Sequence, residues 1–146
     1  MRSVRNVRRP RVVFDTNVLV SALVFGGILR QAVDLIGSKI GSKSVRPVMS
    51  EAILTELRRI ISVKFPEFAP LLSRYESLLR HYAFWVPLGG QVVSVVRDPD
   101  DNAILETSLV GKCEFVTSGD KDLLALGTYK GIRIVTPAEL VELLKE

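Results

Sequence analysis

Apolar positions along this chain follow two rhythms in turn. Val12-Val13-Phe14 is a continuous apolar run of the kind a buried strand carries, so Arg11 to Phe14 reads as a strand. From Thr16 the spacing becomes helical through Val18, Leu19, Ala22 and Leu23. Gly26-Gly27 interrupts that helix, Ile28, Leu29, Ala32, Val33, Leu35 and Ile36 resume an amphipathic pattern, and Gly37 to Ser44 is polar loop. Val45 to Met49 predicts a second strand, placed at an edge or kept short because Pro47 breaks its ladder. Ser50 then has the position of an N-cap for a helix whose apolar face is Ile53, Leu57, Ile60 and Ile61.

A further long helix follows Pro66, with Leu71, Leu72, Tyr75, Leu78, Leu79 and Tyr82 on one side. Ala83 to Pro87 and Val92 to Val96 read as extended segments around a Gly89-Gly90 turn, and only one of them need join the main sheet. Past Asp98-Pro99-Asp100-Asp101 a helix runs through Ile104, Leu105, Ser108 and Leu109 to Gly111. Glu114 to Thr117 is a strand, Leu123 to Leu126 a short helix and Ile132 to Val135 a strand. The last helix is capped by Thr136 with Pro137 at its first position. This alternation predicts an α/β fold, a mostly parallel twisted sheet of about five strands between two layers of helices.

Composition narrows the chemistry. The 146 residues are 47% hydrophobic and 25% charged, suited to one domain with a filled core. The expected division is a basic arm over residues 1–10 and a single domain over 11–146. No apolar stretch reaches the length of a membrane span and no signal-peptide pattern opens the chain, which points to the cytoplasm. Cys113 and His81 each stand alone, so a zinc site of thiolates and imidazoles is excluded and any metal must be held by oxygen. The formal net charge is +4. Much of the positive charge precedes the first strand, where Arg2, Arg5, Arg8 and Arg9 are candidates for phosphate contacts with RNA; a solvated tail without a partner is the plain alternative.

Four acids stand out by position. Asp15 ends the first strand and Asp120 follows the strand ending at Thr117, where ligands collect in open α/β sheets. Asp101, three and four residues before Ile104 and Leu105, faces inward at the first turn of its helix. Glu56 sits at the margin of a buried stripe, where either an arginine such as Arg58 or Arg59 pairs with it or it faces a polar cavity. Taken singly these acids have ordinary structural explanations, an N-cap for Asp15 and an ion pair for Glu56 among them. Asp98 and Asp100 read as turn and cap residues, and Asp122 competes with Asp120. Carboxylates gathered on one sheet edge repel one another unless a cation offsets their charge, and hard oxygen ligands favour Mg2+ or Mn2+. That equipment suits phosphodiester hydrolysis.

The segments Val13-Phe14-Asp15-Thr16-Asn17-Val18-Leu19, Asp98-Pro99-Asp100-Asp101-Asn102-Ala103 and Val116-Thr117-Ser118-Gly119-Asp120-Lys121-Asp122-Leu123-Leu124, with Glu56, resemble those of PIN-domain ribonucleases, especially the toxin components of prokaryotic toxin–antitoxin systems. The resemblance implies a PIN-like three-layer α/β/α sandwich, Mg2+- or Mn2+-dependent cleavage of single-stranded RNA, an antitoxin partner and a homodimer or higher homo-oligomer. Carried over by position, it makes Asp15, Glu56, Asp101 and Asp120 the catalytic and metal-holding quartet. Thr16 or Asn17 would steady the first carboxylate, Thr117 or Ser118 would supply a hydroxyl, and Asp122 remains a rival to Asp120. Two readings of other classes stand beside it: a noncatalytic RNA-binding or protein-interaction module on the same fold, and a phosphatase or phospho-receiver-like domain. Against the last, the first strand ends in Asp-Thr-Asn instead of an Asp-x-Asp pair. His81 is expected at or near the surface, Cys113 in packing, and Tyr82, Phe84 and Trp85 in core or dimer contacts.

Overall fold

A computed structural model of the chain describes residues 9–25, 45–90 and 95–144. The arginines Arg2, Arg5 and Arg8, the amphipathic segment from Ile28 to Ile36 and its loop, and the start of the Val92 to Val96 segment lie outside the described residues.

The strands are β1 (Arg11–Phe14), β2 (Arg46–Met49), β3 (Phe84–Trp85), β4 (Phe115–Thr117), β5 (Thr128–Tyr129) and β6 (Ile132–Val135). The helices are α1 (Thr16–Val24), α2 (Glu51–Lys64), α3 (Ala69–Tyr82), α4 (Pro99–Val110), α5 (Lys121–Leu126) and α6 (Pro137–Leu144), with a 3-10 turn at Pro66–Phe68 before α3. The sheet order is β3-β2-β1-β4-β6-β5. Five strands run parallel, as the alternating pattern predicts, and β5 adds a short antiparallel edge against β6. The chain turns from β5 to β6 through Lys130 (φ 50) and Gly131 (φ 85), both left-handed, the backbone that matches the twist of a tight hairpin. Lys-Gly is a weaker hairpin signal than Asn-Gly, and β5 was not legible in advance.

The apolar runs explain the layers. β1 is buried along Val12, Val13 and Phe14, as a central strand covered on both faces must be. Leu19, Ala22 and Leu23 of α1, Ile53, Leu57 and Ile61 of α2 and Ile104 and Leu105 of α4 complete one continuous core. Burying a leucine or isoleucine of this kind contributes roughly 1.5–3 kcal/mol. Gly111 is required by packing: a Cβ there would lie 2.6 Å from Val48 Cγ1.

Three expectations are corrected. β2 is short, four residues, as one half of the expectation had it, but it is internal and not an edge, paired with both β1 and β3 despite Pro47. Arg46 N–H donates to Pro10 O on the β1 side, so the nitrogen of Pro47 faces the other way, at a level where β3 has not yet begun. Its missing donor therefore breaks no ladder bond. Ser50 precedes α2 but makes no capping hydrogen bond; its buried hydroxyl shares one with Thr107 Oγ1 at 2.9 Å. Leu78, grouped by spacing with the apolar face of α3, is 47% exposed, because that face meets its neighbours only through Leu72 and Leu79 and, partly, Leu71, Tyr75 and Tyr82. The Thr136 cap is as expected: Thr136 Oγ1 accepts from Glu139 N–H while the Glu139 carboxylate accepts from Thr136 N–H.

Candidate active site

The chain passes from β1 outward to β2 and β3 on one side and to β4 and β6 on the other, so the strand order reverses between β1 and β4. Open α/β sheets part at such a point and leave a crevice beyond the carboxyl ends of the two strands. Parallel register brings Phe14 level with Thr117, and Asp15 N–H donates to Thr117 O at 2.9 Å. Asp15 and the Ser118-Gly119-Asp120 turn therefore emerge side by side. Asp101 joins them from the first turn of α4, a helix that packs against β1 and β4.

Asp15, Asp101 and Ser118 are all buried. Ser118 Oγ donates to Asp15 Oδ2 at 2.6 Å and accepts from Asp120 N–H at 2.9 Å, so one hydroxyl ties the two strand ends together. Asp120 Oδ1 accepts from the amides of Asp122 and Leu123 at the start of α5, which fixes its carboxylate as a cap. Burial pushes Asp15 above the usual carboxylate range; the Ser118 hydroxyl and the nearby amides of Thr16 and Asn17 oppose that, although neither amide makes a cap hydrogen bond to it. Asp101 is pushed up to about 7, first by burial, then by the charges of Asp120 and Asp15, then by Asp98, with a carboxyl contact to Asp120 adding to the effect. Asp101 Oδ2 is buried without a hydrogen-bond partner.

The other expected residues separate cleanly. Thr117 is fully buried, and its Oγ1 has no partner, so Ser118 is the hydroxyl that meets Asp15. Asp122 faces outward to Arg97, 3.2 Å away, whereas Asp120 lies among the buried acids. Thr16 is buried and Asn17 exposed. Glu56 makes a two-pronged pair with Arg59, at 2.9 and 2.6 Å, the ion pair that its position at the margin of the buried stripe allows. That pairing, led by the hydrogen bond from Arg59, lowers its pKa.

Three contacts escaped sequence reasoning. Asp100 lies against Glu56 and is raised by burial and then by that neighbouring charge, so the rim of the site carries an acid pair. Asp98, the N-cap that accepts from Asp100 N–H at 2.9 Å, also adds to the field on Asp101. Asn102 holds the approach to α4: its Oδ1 accepts from Val95 and Val96 N–H and its Nδ2 donates to Val96 O, each at 3.0 Å. Helix phase sets Asp101 apart from Asp98 and Asp100 in the sequence, but the meeting of Asp100 with Glu56 depends on the packing of α2 against α4.

The PIN-domain family matches residues 11–122, most of the chain, including the ends of β1 and β4 and the start of α4 that carry the acids. This chain belongs to the PIN-domain family. The match carries the nuclease character general to PIN domains. Among solved structures, the crystal structure of VapBC2 from Rickettsia felis bound to a DNA fragment from its promoter aligns with a TM-score of 0.57 at 11% identity, covering 85% of this chain and 96% of that one. At that identity the likeness is one of fold. No curated protein matches in sequence. Among the described residues, no helix of this PIN domain is long and apolar enough to cross a membrane.

PIN nucleases typically use divalent metals, and the donor set here can be tested against that need. Among the described residues no three His, Cys, Asp or Glu side chains form a ready-made cage. The electrostatics nonetheless fit a cation. Asp15, Asp101 and Asp120 repel one another, two of them have raised pKa values, and Asp101 Oδ2 has no donor to satisfy it. A divalent ion answers both the charge and the orphaned oxygen.

Proposed function

We propose that this PIN domain is a Mg2+- or Mn2+-dependent endoribonuclease that hydrolyses phosphodiester bonds of single-stranded RNA, acting as the toxin of a toxin–antitoxin pair. The observation that carries the reading is Asp101 Oδ2, a buried acceptor without a partner, set between two further carboxylates. Asp15, Asp101 and Asp120 would hold the cation, and Glu56, at the rim beside Asp100, serves as the fourth acid. Ser118 keeps Asp15 oriented, and the amides opening α5 keep Asp120 oriented. A bound divalent ion supplies the positive charge that lets water ionise near neutral pH and that offsets charge developing on the phosphate. The solved VapBC2 assembly, similar in fold, supports an antitoxin partner; a cytoplasmic location and a homodimer or higher homo-oligomer complete the proposal.

The test is cleavage of labelled single-stranded RNA by the purified protein with Mg2+ or Mn2+, with chelator, and by the Asp15→Asn and Asp101→Asn variants. Loss of cleavage in the chelated sample and in both variants is expected, by at least about a hundredfold. Cleavage that survives chelation or either substitution overturns the metal mechanism. Salt-sensitive binding without cleavage by the wild-type protein assigns the fold to a noncatalytic RNA-binding module.

A further inference from the structure

The acid cluster poses a problem for a polyanionic substrate: three carboxylates at the carboxyl edge of the sheet repel phosphates, so affinity must come from elsewhere on the surface. The opposite edge has the required chemistry. β1, β2 and β4 are parallel, so Arg11 at the start of β1, Arg46 at the start of β2 and Lys112 just before β4 meet at the amino-terminal edge. With Arg9 they line a cavity of about 370 Å3.

These cations are not spent on acids. Among the described residues, Arg9, Arg46 and Lys112 make no ion pair. Arg46 is held by packing over the Phe84 ring, 5.9 Å from its centroid, with its Nε buried and lacking an acceptor. The Arg11 guanidinium is fixed over the same ring at 4.7 Å and donates to Gly111 O at 2.9 Å. Among the described residues Glu114 is the acid seen against this group, accepting from the Arg11 backbone N–H at 2.9 Å, and the carbonyl end of α4 adds a partial negative charge. Four cations outweigh both. Lys112 is also held at φ 52, a left-handed conformation that glycine would adopt more readily, while the glycine of this turn is kept at 111 by contact with Val48.

We propose that this cavity binds a backbone phosphate of the nucleic-acid strand, a second anchor at the edge opposite the acids. The inference rests on the nuclease reading for its ligand. Planar guanidinium forks suit phosphate oxygens, and preset arginines lose little freedom on binding. From Arg11 to Asp15 the strand advances only about 13 Å, so one RNA running along the surface reaches both edges.

Binding of labelled single-stranded RNA in chelator, across a range of salt, tests the anchor with the full chain and the Arg9→Gln/Lys112→Gln double variant, two residues outside the core. A roughly fivefold or greater loss of affinity is expected, with the salt slope shallower by about 0.7 for each contact removed. With Mg2+, cleavage by the double variant should show a raised KM and an unchanged kcat. Unchanged affinity and slope overturn the anchor, even if the wild type cleaves RNA; conversely, a shifted slope in a protein that never cleaves RNA leaves the anchor standing and removes the nuclease reading. Thermal shifts with inorganic phosphate and with poly-glutamate complete the test. A response to either that the double variant loses, with RNA binding intact, assigns the cavity to free phosphate or to an acidic protein segment and overturns the proposal.

Discussion

Ser118 donates its hydroxyl proton to Asp15 Oδ2 at 2.6 Å, joining residues that stand 103 positions apart. The neighbouring hydroxyl of Thr117 is just as buried and bonds to nothing. Ser118→Ala should destabilise the fold by about 1.5–3 kcal/mol, the range for a hydrogen bond to a charged group, whereas Thr117→Val should be neutral or stabilising. Urea unfolding of the two variants checks this. Equal losses in both would contradict the assignment of Ser118 as the partner of Asp15.

Asp101 gives the stability a definite pH dependence. Its carboxyl titrates near 7 when folded and near the ordinary 3.8 when unfolded, so between those values the folded state holds more protons. Stability contributed by the protonated form is complete below about pH 4 and is lost as pH rises through about 7; the raised value of Asp15 acts with the same sign. In chelator, the melting temperature should fall across that window, less steeply in Asp101→Asn. A wild-type profile no steeper than that of the variant refutes the raised pKa.

Metal should reverse the same penalty. Millimolar Mn2+ or Mg2+ at pH 7.5 should raise the melting temperature in proportion to the logarithm of concentration above Kd, and Asp101→Asn or Asp120→Asn should blunt the response. Calorimetric titration with metal alone provides an independent readout. Identical thermal shifts in wild type and variants would place the ion elsewhere.

Glu56 separates structure from chemistry. Its partner Arg59 is largely exposed, so the ion pair adds little to stability despite its geometry. Glu56→Gln should leave the melting temperature almost unchanged while lowering RNA cleavage by about tenfold or more. Arg59→Gln, which frees the carboxylate, should keep cleavage. Full activity in Glu56→Gln would reduce this acid to its ion pair.

Gly111→Ala should cost about 1–3 kcal/mol, because the added methyl has to displace Val48 Cγ1 in a filled core. Chemical denaturation measures it. A neutral result would show that β2 and the end of α4 can move apart.

Sequence periodicity by itself determined the alternation of strands and helices and the parallel sheet, because continuous apolar runs for doubly covered strands and a 3.6-residue period for helices are written directly into the order of apolar residues. It also marked Asp15, Asp101 and Asp120, since an acid at a strand end or on the inward face of a helix is visible locally. Strand neighbours are set by packing between distant segments, so only the tertiary structure decided that β1 meets β4 and that Asp15 therefore meets Ser118. The same holds for β2, whose internal place turns on which side Pro47 presents its nitrogen. Asp120 and Asp122 are two residues apart in sequence, and the fold divides them, one capping α5 among the buried acids and the other reaching Arg97 in solvent. The basic edge came from tertiary structure alone: Arg11, Arg46 and Lys112 belong to three separate segments and become one cavity because their strands start side by side.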